Sequence, residues 1–141
     1  MTELEHLGAF VIVVQNGKIL LGKRKNSYKS GSYGCPGGRL ELTESLVDCA
    51  KRELLEETGV EATNLKYLGV VRELQDGYNF IHFVFTCTSW VGEITVTEPD
   101  KCEGWDFYHK DELPANILPA HMKGIKLIDN PPSGYIEILE K

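Results

Sequence analysis

Three glutamates, Glu53, Glu56 and Glu57, are spaced so that a helix would gather them on one face. Residues i, i+3 and i+4 are neighbours on a helix surface, so the three carboxylates would project close together. Carboxylate oxygens are ligands that hard divalent cations such as Mg²⁺ prefer, and Mg²⁺ often shares its coordination with substrate phosphates. Taken alone, the spacing leaves open either a cation site or a solvated acidic helix face.

The element that must carry these glutamates is predicted to be a helix from about residue 44 to residue 58. Thr43 is expected to cap its start, Glu44 suits the positive end of the helix dipole, and Gly59 suits the left-handed residue that ends it. Glu53 and Glu57 lie beside an apolar stripe, where uncompensated charge is costly and a bound cation would relieve that cost. The stripe consists of Leu46, Val47, Ala50 and Leu54.

Strands are predicted on both sides of this helix. Apolar runs at 9–14 and 19–21 flank Asn16-Gly17, and runs at 65–74 and 78–90 flank Asp76-Gly77, so each pair is expected to form a hairpin. The sequence also predicts a loop with special backbone needs at 23–38, a strand at 104–108, a short helix within 113–128 and a final strand at 135–139. Strands joined by hairpins around one dominant helix predict an α+β fold or a mixed-sheet sandwich.

Length and composition predict one domain over residues 1–141. The chain is 42% hydrophobic and 26% charged, which excludes collagen-like, disordered and membrane classes. No apolar run approaches the ~18 residues that cross a bilayer, and the first ten residues do not resemble a secretion signal, so the expected location is cytoplasmic. The formal charge of −6 argues against a nucleic acid polymer as partner. The four cysteines form no C-x-x-C pair and are expected to be reduced thiols.

A wider spacing around the glutamates resembles a known signature. Residues 38–60 match every fixed position of the Nudix box, and a pattern that fixes so many identities is far more specific than a lone glycine motif. On this motif the chain resembles the Nudix hydrolases. The matching residues are Gly38, Glu44, Arg52, Glu53, Leu54, Glu56, Glu57, Gly59 and Val60.

The resemblance implies a Nudix fold, with a mixed sheet sandwiched between helices and a loop-helix-loop motif that carries the box. It implies hydrolysis of nucleoside diphosphates linked to another group, with Mg²⁺, or Mn²⁺ in its place, bound by the box. Glu53 and Glu57 carry over as the principal metal ligands, Glu56 as a ligand or general base, and the Gly38 carbonyl as a further ligand. Arg52 carries over as a residue that orients a box glutamate, although an ordinary surface pair with Glu56 also fits its position.

Three further segments resemble the eukaryotic and plant relatives of MutT-type nucleotide-sanitising enzymes. They are LLGKRK at 20–25, CPGGRLE at 35–41 and EPDKCEGW at 98–105. This resemblance implies conversion of purine (deoxy)nucleoside triphosphates, including oxidised forms such as 8-oxo-dGTP, to monophosphate and diphosphate, and it implies a homodimer. Arg39 and the Ile117-Leu118-Pro119 stretch depart from what is usual in those relatives, which leaves the preferred base open.

Other residues are candidates for ligand contacts outside the box. Lys23 and Arg24, at the end of the first hairpin, are candidates for phosphate contacts. In many members of the family a late acidic residue completes the metal set or acts as the base; Glu98, Asp100 and Glu103 all lie in that neighbourhood, and Asp100 and Glu103 are the candidates. Glu44 fits either a ligand-positioning residue or a simple first-turn acid. The remaining substrate candidates are Tyr33, Gly34, Gly37 and Leu118, whereas Trp105 and Phe107 are predicted to be core residues.

Two other interpretations stay open at this stage. The box recognises a diphosphate and says little about what is attached to it, so a prenyl diphosphate, a nucleotide sugar or ADP-ribose is an alternative substrate. A non-catalytic nucleotide-binding module is the other alternative. Such modules commonly lack a box glutamate, whereas all three glutamates are present here.

Overall fold

The computed structural model describes residues 4–26, 29–129 and 135–139. In this part of the chain the elements are β1 (Leu4–Gln15), β2 (Lys18–Arg24), β3 (Tyr33–Gly34), β4 (Gly37–Arg39), α1 (Leu46–Thr58), β5 (Glu61–Ala62), β6 (Lys66–Gln75), β7 (Tyr78–Cys87), β8 (Trp90–Val91), β9 (Cys102–His109), α2 (Pro119–Asp129) and β10 (Tyr135–Leu139). None of the helices in these ranges is long and apolar enough to cross a membrane.

Strand β1 organises a mixed sheet. The sheet order is β10-β6-β7-β1-β2-β3, and β4 and β9 pair in addition with β1 and β2. Strand β1 runs parallel to β7 and antiparallel to β2 and β4. Strands β6 and β10 form a second parallel pair. The separate strands β5 and β8 form a two-stranded sheet.

The two helices cover opposite faces of this sheet. Successive residues of a strand point to opposite faces, and β1 is apolar and buried on both. Ala9, Val11 and Val13 share one core with α1, and Phe10 and Ile12 share the other core with α2. The sheet therefore lies between helices, which confirms the predicted α+β sandwich.

Both predicted hairpins are present, and their backbone angles explain them. Asn16 and Gly17 have φ values of 51° and 74°, and Asp76 and Gly77 have values of 55° and 79°. Positive φ at both central residues defines the turn whose twist matches that of the flanking strands, and Asn-Gly and Asp-Gly adopt it at low cost. The turns join β1 to β2 and β6 to β7.

Helix α1 begins later than predicted. Ser45, not Thr43, is the N-cap, and its Oγ accepts a 3.0 Å hydrogen bond from the Asp48 amide. Both residue types can cap a helix, so spacing alone did not separate them. Val47, assigned to the buried stripe, is 43% exposed. The predicted end is confirmed by a left-handed Gly59 with φ of 79°.

Other boundaries differ modestly from the predictions. The predicted strand at 78–90 is divided into β7 and β8, and the one at 104–108 begins earlier, at Cys102. The short helix within 113–128 begins only at Pro119, because proline suits a first helical turn, where its missing N–H has no partner to lose. Part of the predicted loop at 23–38 contributes the short strand β3 and the start of β4. The cysteines are free thiols, as predicted.

Candidate active site

An acidic cavity lies where the face of α1 meets the β3–β4 region and the segment before β9. Its volume is about 320 Å³. Four acidic side chains line it: Glu53, Glu56, Glu57 and Glu98. The residues that border it with positive charge are Lys23, Arg24 and Lys101. The cavity therefore presents acidic and basic side chains to one space.

The guanidinium of Arg52 binds one carboxylate that precedes α1 and two that α1 carries. Its Nε donates to Glu44 at 2.6 Å, and its Nη1 donates to Glu53 at 2.6 Å and to Glu56 at 3.2 Å. Its Nη2 donates to the Arg39 carbonyl at 2.9 Å. The pair with Glu56 is thus one contact among several, and the shorter bond to the 13% exposed Glu53 fixes that carboxylate against the cavity wall.

Glu44 acts with Arg52 and not as a first-turn acid. It lies before the helix start, and its side chain is only 11% exposed. The hydrogen bond from Arg52 and a second from the Glu41 amide lower the pKa of Glu44 to about 2. Glu44 therefore stays ionised and holds the guanidinium in place, which makes it a residue that positions the arginine.

Glu57 is an acid of the cavity with little access to solvent and a second carboxylate beside it. It accepts a 3.0 Å hydrogen bond from the Gly37 amide. Its burial, and then its hydrogen bond and charge repulsion with Glu53, raise the pKa of Glu57 well above the usual range. Two close carboxylates in a poorly solvated site favour sharing a proton or binding a cation.

This raised pKa predicts that the metal-free protein loses stability as pH rises. The folded state holds a proton on Glu57 at pH values where the unfolded chain has released it, so the contribution is full at low pH and is lost as pH rises through the folded pKa. The slope from this one group is at most about 1.4 kcal/mol per pH unit. Urea unfolding in EDTA, at a series of pH values from about 5 to about 8, measures it.

Glu57→Gln is the control for this pH dependence. The variant cannot release the proton, so its free energy of unfolding should fall less steeply over the same range. If the free energy of unfolding fell equally steeply with pH in the two proteins, Glu57 would not be the source of the pH dependence.

The paired glycines allow the close approach of α1 to β4. A Cβ at Gly38 would overlap the Glu53 carboxylate, and one at Gly37 would lie 2.5 Å from the Ala9 carbonyl oxygen. Gly37 lines the acidic cavity, whereas Gly38 lines a second cavity beside it. The Gly38 carbonyl, predicted as a metal ligand, lies 3.9 Å from the Cys49 thiol. Both glycines thus bring backbone next to a cavity glutamate, Gly37 through its amide bond to Glu57 and Gly38 through its close approach to Glu53.

Gly38→Ala is expected to lower kcat by roughly 10-fold to 100-fold, because the added methyl group displaces the Glu53 carboxylate. Overpacking of this kind also costs about 1 to 3 kcal/mol of stability. Steady-state kinetics and thermal unfolding measure the two effects. Gly104→Ala is the matched control, since no atom lies within 4 Å of the added Cβ. Similar losses in both variants would contradict this role of Gly38.

The segment before β9 brings Glu98 to the cavity. Hydrogen bonds tie this segment to the end of α1: the Thr95 amide donates to the Thr58 carbonyl at 2.8 Å, and the Thr97 hydroxyl donates to the Glu56 carbonyl. Glu98 then begins a turn, in which its carbonyl accepts from the Lys101 amide at 2.9 Å. The segment and the helix end are therefore positioned together.

The two late acids predicted from the sequence are found on the surface near the cavity. Neither Asp100 nor Glu103 lines the acidic cavity. Asp100 is exposed on the turn, and Glu103 is paired with Lys23 at 3.8 Å on the surface. The turn at Glu98 directs the following acids outward, which spacing along the chain does not reveal.

Trp105 joins the cavity to the core. It packs on the α1 core, and its Nε1 donates a 3.0 Å hydrogen bond to the Glu57 carbonyl. Phe107 packs on the same core. Both are core residues, as predicted, and Trp105 in addition fixes the backbone of a cavity glutamate.

A second, ring-lined cavity of about 320 Å³ adjoins the acidic one, and Arg24, Cys35 and Gly37 line both. Its walls carry rings and a buried acid: His6, Phe10, Glu73, Phe80, His82 and His121. His121 accepts a 2.8 Å hydrogen bond from the Cys35 amide, and its burial holds its pKa well below the usual range. His121 is therefore a neutral ring in this wall.

The candidate substrate residues divide between the two cavities. Leu118 lines the ring-lined cavity, and Lys23 and Gly34 line the acidic one. Tyr33 borders neither and packs against Tyr108. Sequence reasoning assigned no role to Lys101, Glu73 or His82, and only the position of Lys101, next to the EPD stretch, offered a signal.

Comparisons with known proteins agree with this architecture. The NUDIX domain family matches residues 4–129. An oxidized purine nucleoside triphosphate hydrolase of Danio rerio is 30% identical over 117 residues, which are 78% of this chain and 70% of that protein. The NAD-capped RNA hydrolase NudC of Pseudomonas syringae pv. tomato is 31% identical over 80% of this chain, which spans only 39% of NudC.

A solved structure extends the likeness to the fold. The crystal structure of a MutT NUDIX hydrolase from Burkholderia pseudomallei superposes with a TM-score of 0.85 at 29% identity, covering 89% of this chain and 99% of that one. The mixed sheet, the helix with its glutamates and the acidic cavity define a Nudix hydrolase. The chain belongs to the NUDIX domain family.

Proposed function

We propose that the chain is a Mg²⁺-dependent pyrophosphohydrolase that converts purine (deoxy)nucleoside triphosphates, including oxidised forms such as 8-oxo-dGTP, to monophosphate and diphosphate. The observation that carries the proposal is the junction of the two cavities at Arg24, Cys35 and Gly37. It joins an acidic and basic chamber suited to phosphates and cations to a ring-lined chamber of a size suited to a base. A nucleotide has these same two parts.

The acidic cavity fits a hard divalent cation by its donor chemistry. Carboxylates of Glu53, Glu56, Glu57 and Glu98 border it, and Mg²⁺ prefers such oxygens. In the described residues no three acidic, histidine or cysteine side chains are already placed around one point. Instead Glu53 is hydrogen-bonded to Arg52 and to Glu57. A cation would replace the interaction between these two carboxylates.

In the proposed reaction the side chains of the acidic cavity have three roles: binding of the metal, binding of phosphate oxygens and orientation of Glu53. Glu53 and Glu57 would hold Mg²⁺, with Glu56 and Glu98 as further ligands or proton acceptors. The bound ion would neutralise phosphate oxygens and acidify an attacking water. Arg24, Lys23 and Lys101 border the same cavity and would bind phosphate oxygens. Arg52 would keep Glu53 oriented.

The ring-lined cavity favours a base over a prenyl chain. An isoprenoid would place hydrocarbon against Glu73, which is 5% exposed, and against the imidazoles of His6 and His82. Leaving such polar groups without water or a partner is costly. A heteroaromatic base offers both ring faces and hydrogen-bonding edges. This argues against geranyl diphosphate as the substrate.

A substrate panel in Mg²⁺ tests the proposal. It contains the four dNTPs, 8-oxo-dGTP, ADP-ribose, a nucleotide sugar, geranyl diphosphate and NAD-capped RNA, the last because a relative is named for that substrate. The proposal expects the highest kcat/KM on purine triphosphates. Turnover of only the other compounds would overturn it. A homodimer, a cytoplasmic location and the exclusion of nucleic acid polymers stay predictions.

A further inference from the structure

Glu73 is a buried acid that the proposed reaction does not use. It lies on β6, is 5% exposed, and lines the ring-lined cavity with its neighbour His82 on β7. The His82 Nε2 lies 3.3 Å from Glu73 Oε1. Burying a carboxylate is costly without full hydrogen bonding. Glu73 lines the ring-lined cavity and not the acidic one, so its partner is expected to differ from the cation proposed for the four glutamates.

Glu73 lines the ring-lined cavity, and the oxygen that contacts His82 is Oε1, not Oε2. Within the described part of the chain Oε2 has no hydrogen-bond partner, yet no polar side-chain atom there is both fully buried and unpartnered. Oε2 is therefore accessible, and the nearly complete burial of Glu73 leaves the cavity as the space it reaches. An ionised carboxylate only accepts hydrogen bonds, and its two oxygens offer about four lone-pair sites. Oε1 thus keeps room for a second donor.

The rings beside Glu73 suit a planar ligand. Phe80 and His82 are stacked at 5.3 Å with an interplanar angle of 17°. Phe10 and His121 are stacked at 4.1 Å with an angle of 20°, and this pair adjoins the first, with the Phe10 ring 5.8 Å from the His82 ring. Aromatic faces bind the faces of nucleobases with little preference among bases. Choice among bases therefore depends on the polar groups of the cavity wall, and Glu73 supplies a carboxylate there.

We propose that Glu73, oriented by His82, selects guanine-type bases over adenine-type bases in the ring-lined cavity. Guanine and 8-oxoguanine present two adjacent donors, N1–H and the N2 amino group, which match the two acceptor oxygens of a carboxylate. Adenine presents one donor beside the N1 acceptor, whose lone pair would face an acceptor oxygen of Glu73. The inference rests on the proposed nucleotide substrate and names its base.

Glu73→Gln tests the inference by exchanging one acceptor for a donor. The glutamine amide can donate to adenine N1 and accept from the adenine amino group, a pairing that a carboxylate cannot make. The ratio of kcat/KM for dGTP to that for dATP should exceed about 10 in the unmodified protein and should fall by roughly 10-fold to 100-fold in the variant. Because both substrates are measured on one sample, the ratio does not depend on the folded fraction.

Glu61→Gln on exposed β5 is the control and should leave the ratio unchanged. If the Glu73–His82 pair only stabilises the fold, Glu73→Gln should lower stability and leave the dGTP to dATP ratio unchanged. That result would overturn the inference. Should glutamine prevent folding, Glu73→Asp keeps the charge but shortens its reach. It should lower the ratio without any gain on dATP, and an unchanged ratio there would also overturn the inference.

Binding of products without metal separates this inference from the proposed function. Isothermal titration of dGMP and dAMP in EDTA should give tighter binding of dGMP by about 10-fold or more, and Glu73→Gln should remove that preference. Absence of triphosphate turnover with this preference intact would refute the proposed reaction alone. Turnover of triphosphates with equal binding of the two products would refute the role of Glu73 alone.

Discussion

Glu53→Gln is expected to lower kcat on the order of 10³-fold while the protein stays folded, since a metal site is worth several kcal/mol of transition-state stabilisation and each ~1.4 kcal/mol is tenfold. Glutamine has nearly the same shape and still offers an oxygen to Arg52, so the packing against Gly38 is retained. The negative charge that would hold a cation is lost. Steady-state kinetics at saturating substrate measures the effect.

Two controls separate this loss from a structural defect. Thermal unfolding of Glu53→Gln in EDTA should remain cooperative, because glutamine keeps the shape of the side chain and an oxygen that accepts from Arg52. Glu61→Gln, an equal change of charge on an exposed strand, should keep full activity. An active Glu53→Gln protein would place the catalytic centre elsewhere.

Arg52→Lys should lower kcat by about 10²-fold with little change in KM, a size typical of a misplacement of catalytic groups by about 1 Å. Arg52 joins Glu44 through Nε and Nη2 and joins Glu53 and Glu56 through Nη1, and its Nη2 also binds the Arg39 carbonyl. A single ammonium cannot reproduce this fork, so the charge is kept while the geometry is lost.

Lys51→Ala provides the comparison on the same helix. Lys51 is exposed and forms none of the contacts of the Arg52 network, so its removal should leave kcat within about 2-fold of the unmodified value, as is usual for surface substitutions. A rise in KM with unchanged kcat for Arg52→Lys would show that the arginine binds substrate instead of positioning Glu53. Equal kcat for lysine and arginine would show that charge without geometry is sufficient.

Local signals in the sequence predicted much of the fold. The Asn-Gly and Asp-Gly turns and the terminal Gly59 are set by backbone angles that few residues adopt, so one or two letters define them. The sandwich followed from the number of strands around one helix. The Nudix box located the glutamates because its identities are fixed at fixed spacings. These features depend on neighbours in the chain.

The features that were missed depend on contacts between distant residues. Arg52 binds Glu44, eight positions earlier in the chain, and the helix begins after Glu44 with Ser45 as its N-cap. Helix-capping propensity alone does not distinguish Ser45 from Thr43. Glu98 faces the cavity because hydrogen bonds from its segment attach it to the end of α1, 37 and 41 positions earlier in the chain. Glu73 meets His82 through the pairing of β6 with β7. Such placements follow only from the folded chain.

The proposed function and the proposed role of Glu73 assign chemistry and the choice of base to different cavities. The four glutamates line the acidic cavity, Glu73 lines the ring-lined one, and Arg24 lines both. Substitutions at the acidic end should lower turnover for every substrate. Substitutions at the ring-lined end should change the order of preference among bases.

The central claim is that the acidic cavity cleaves a nucleoside triphosphate to monophosphate and diphosphate. The most direct test is ³¹P NMR of dGTP during turnover in Mg²⁺, with Glu53→Gln in parallel. The proposed function predicts resonances of dGMP and inorganic pyrophosphate in equal amounts, and neither product from the variant. Release of orthophosphate with dGDP, or unchanged turnover by Glu53→Gln, would contradict it.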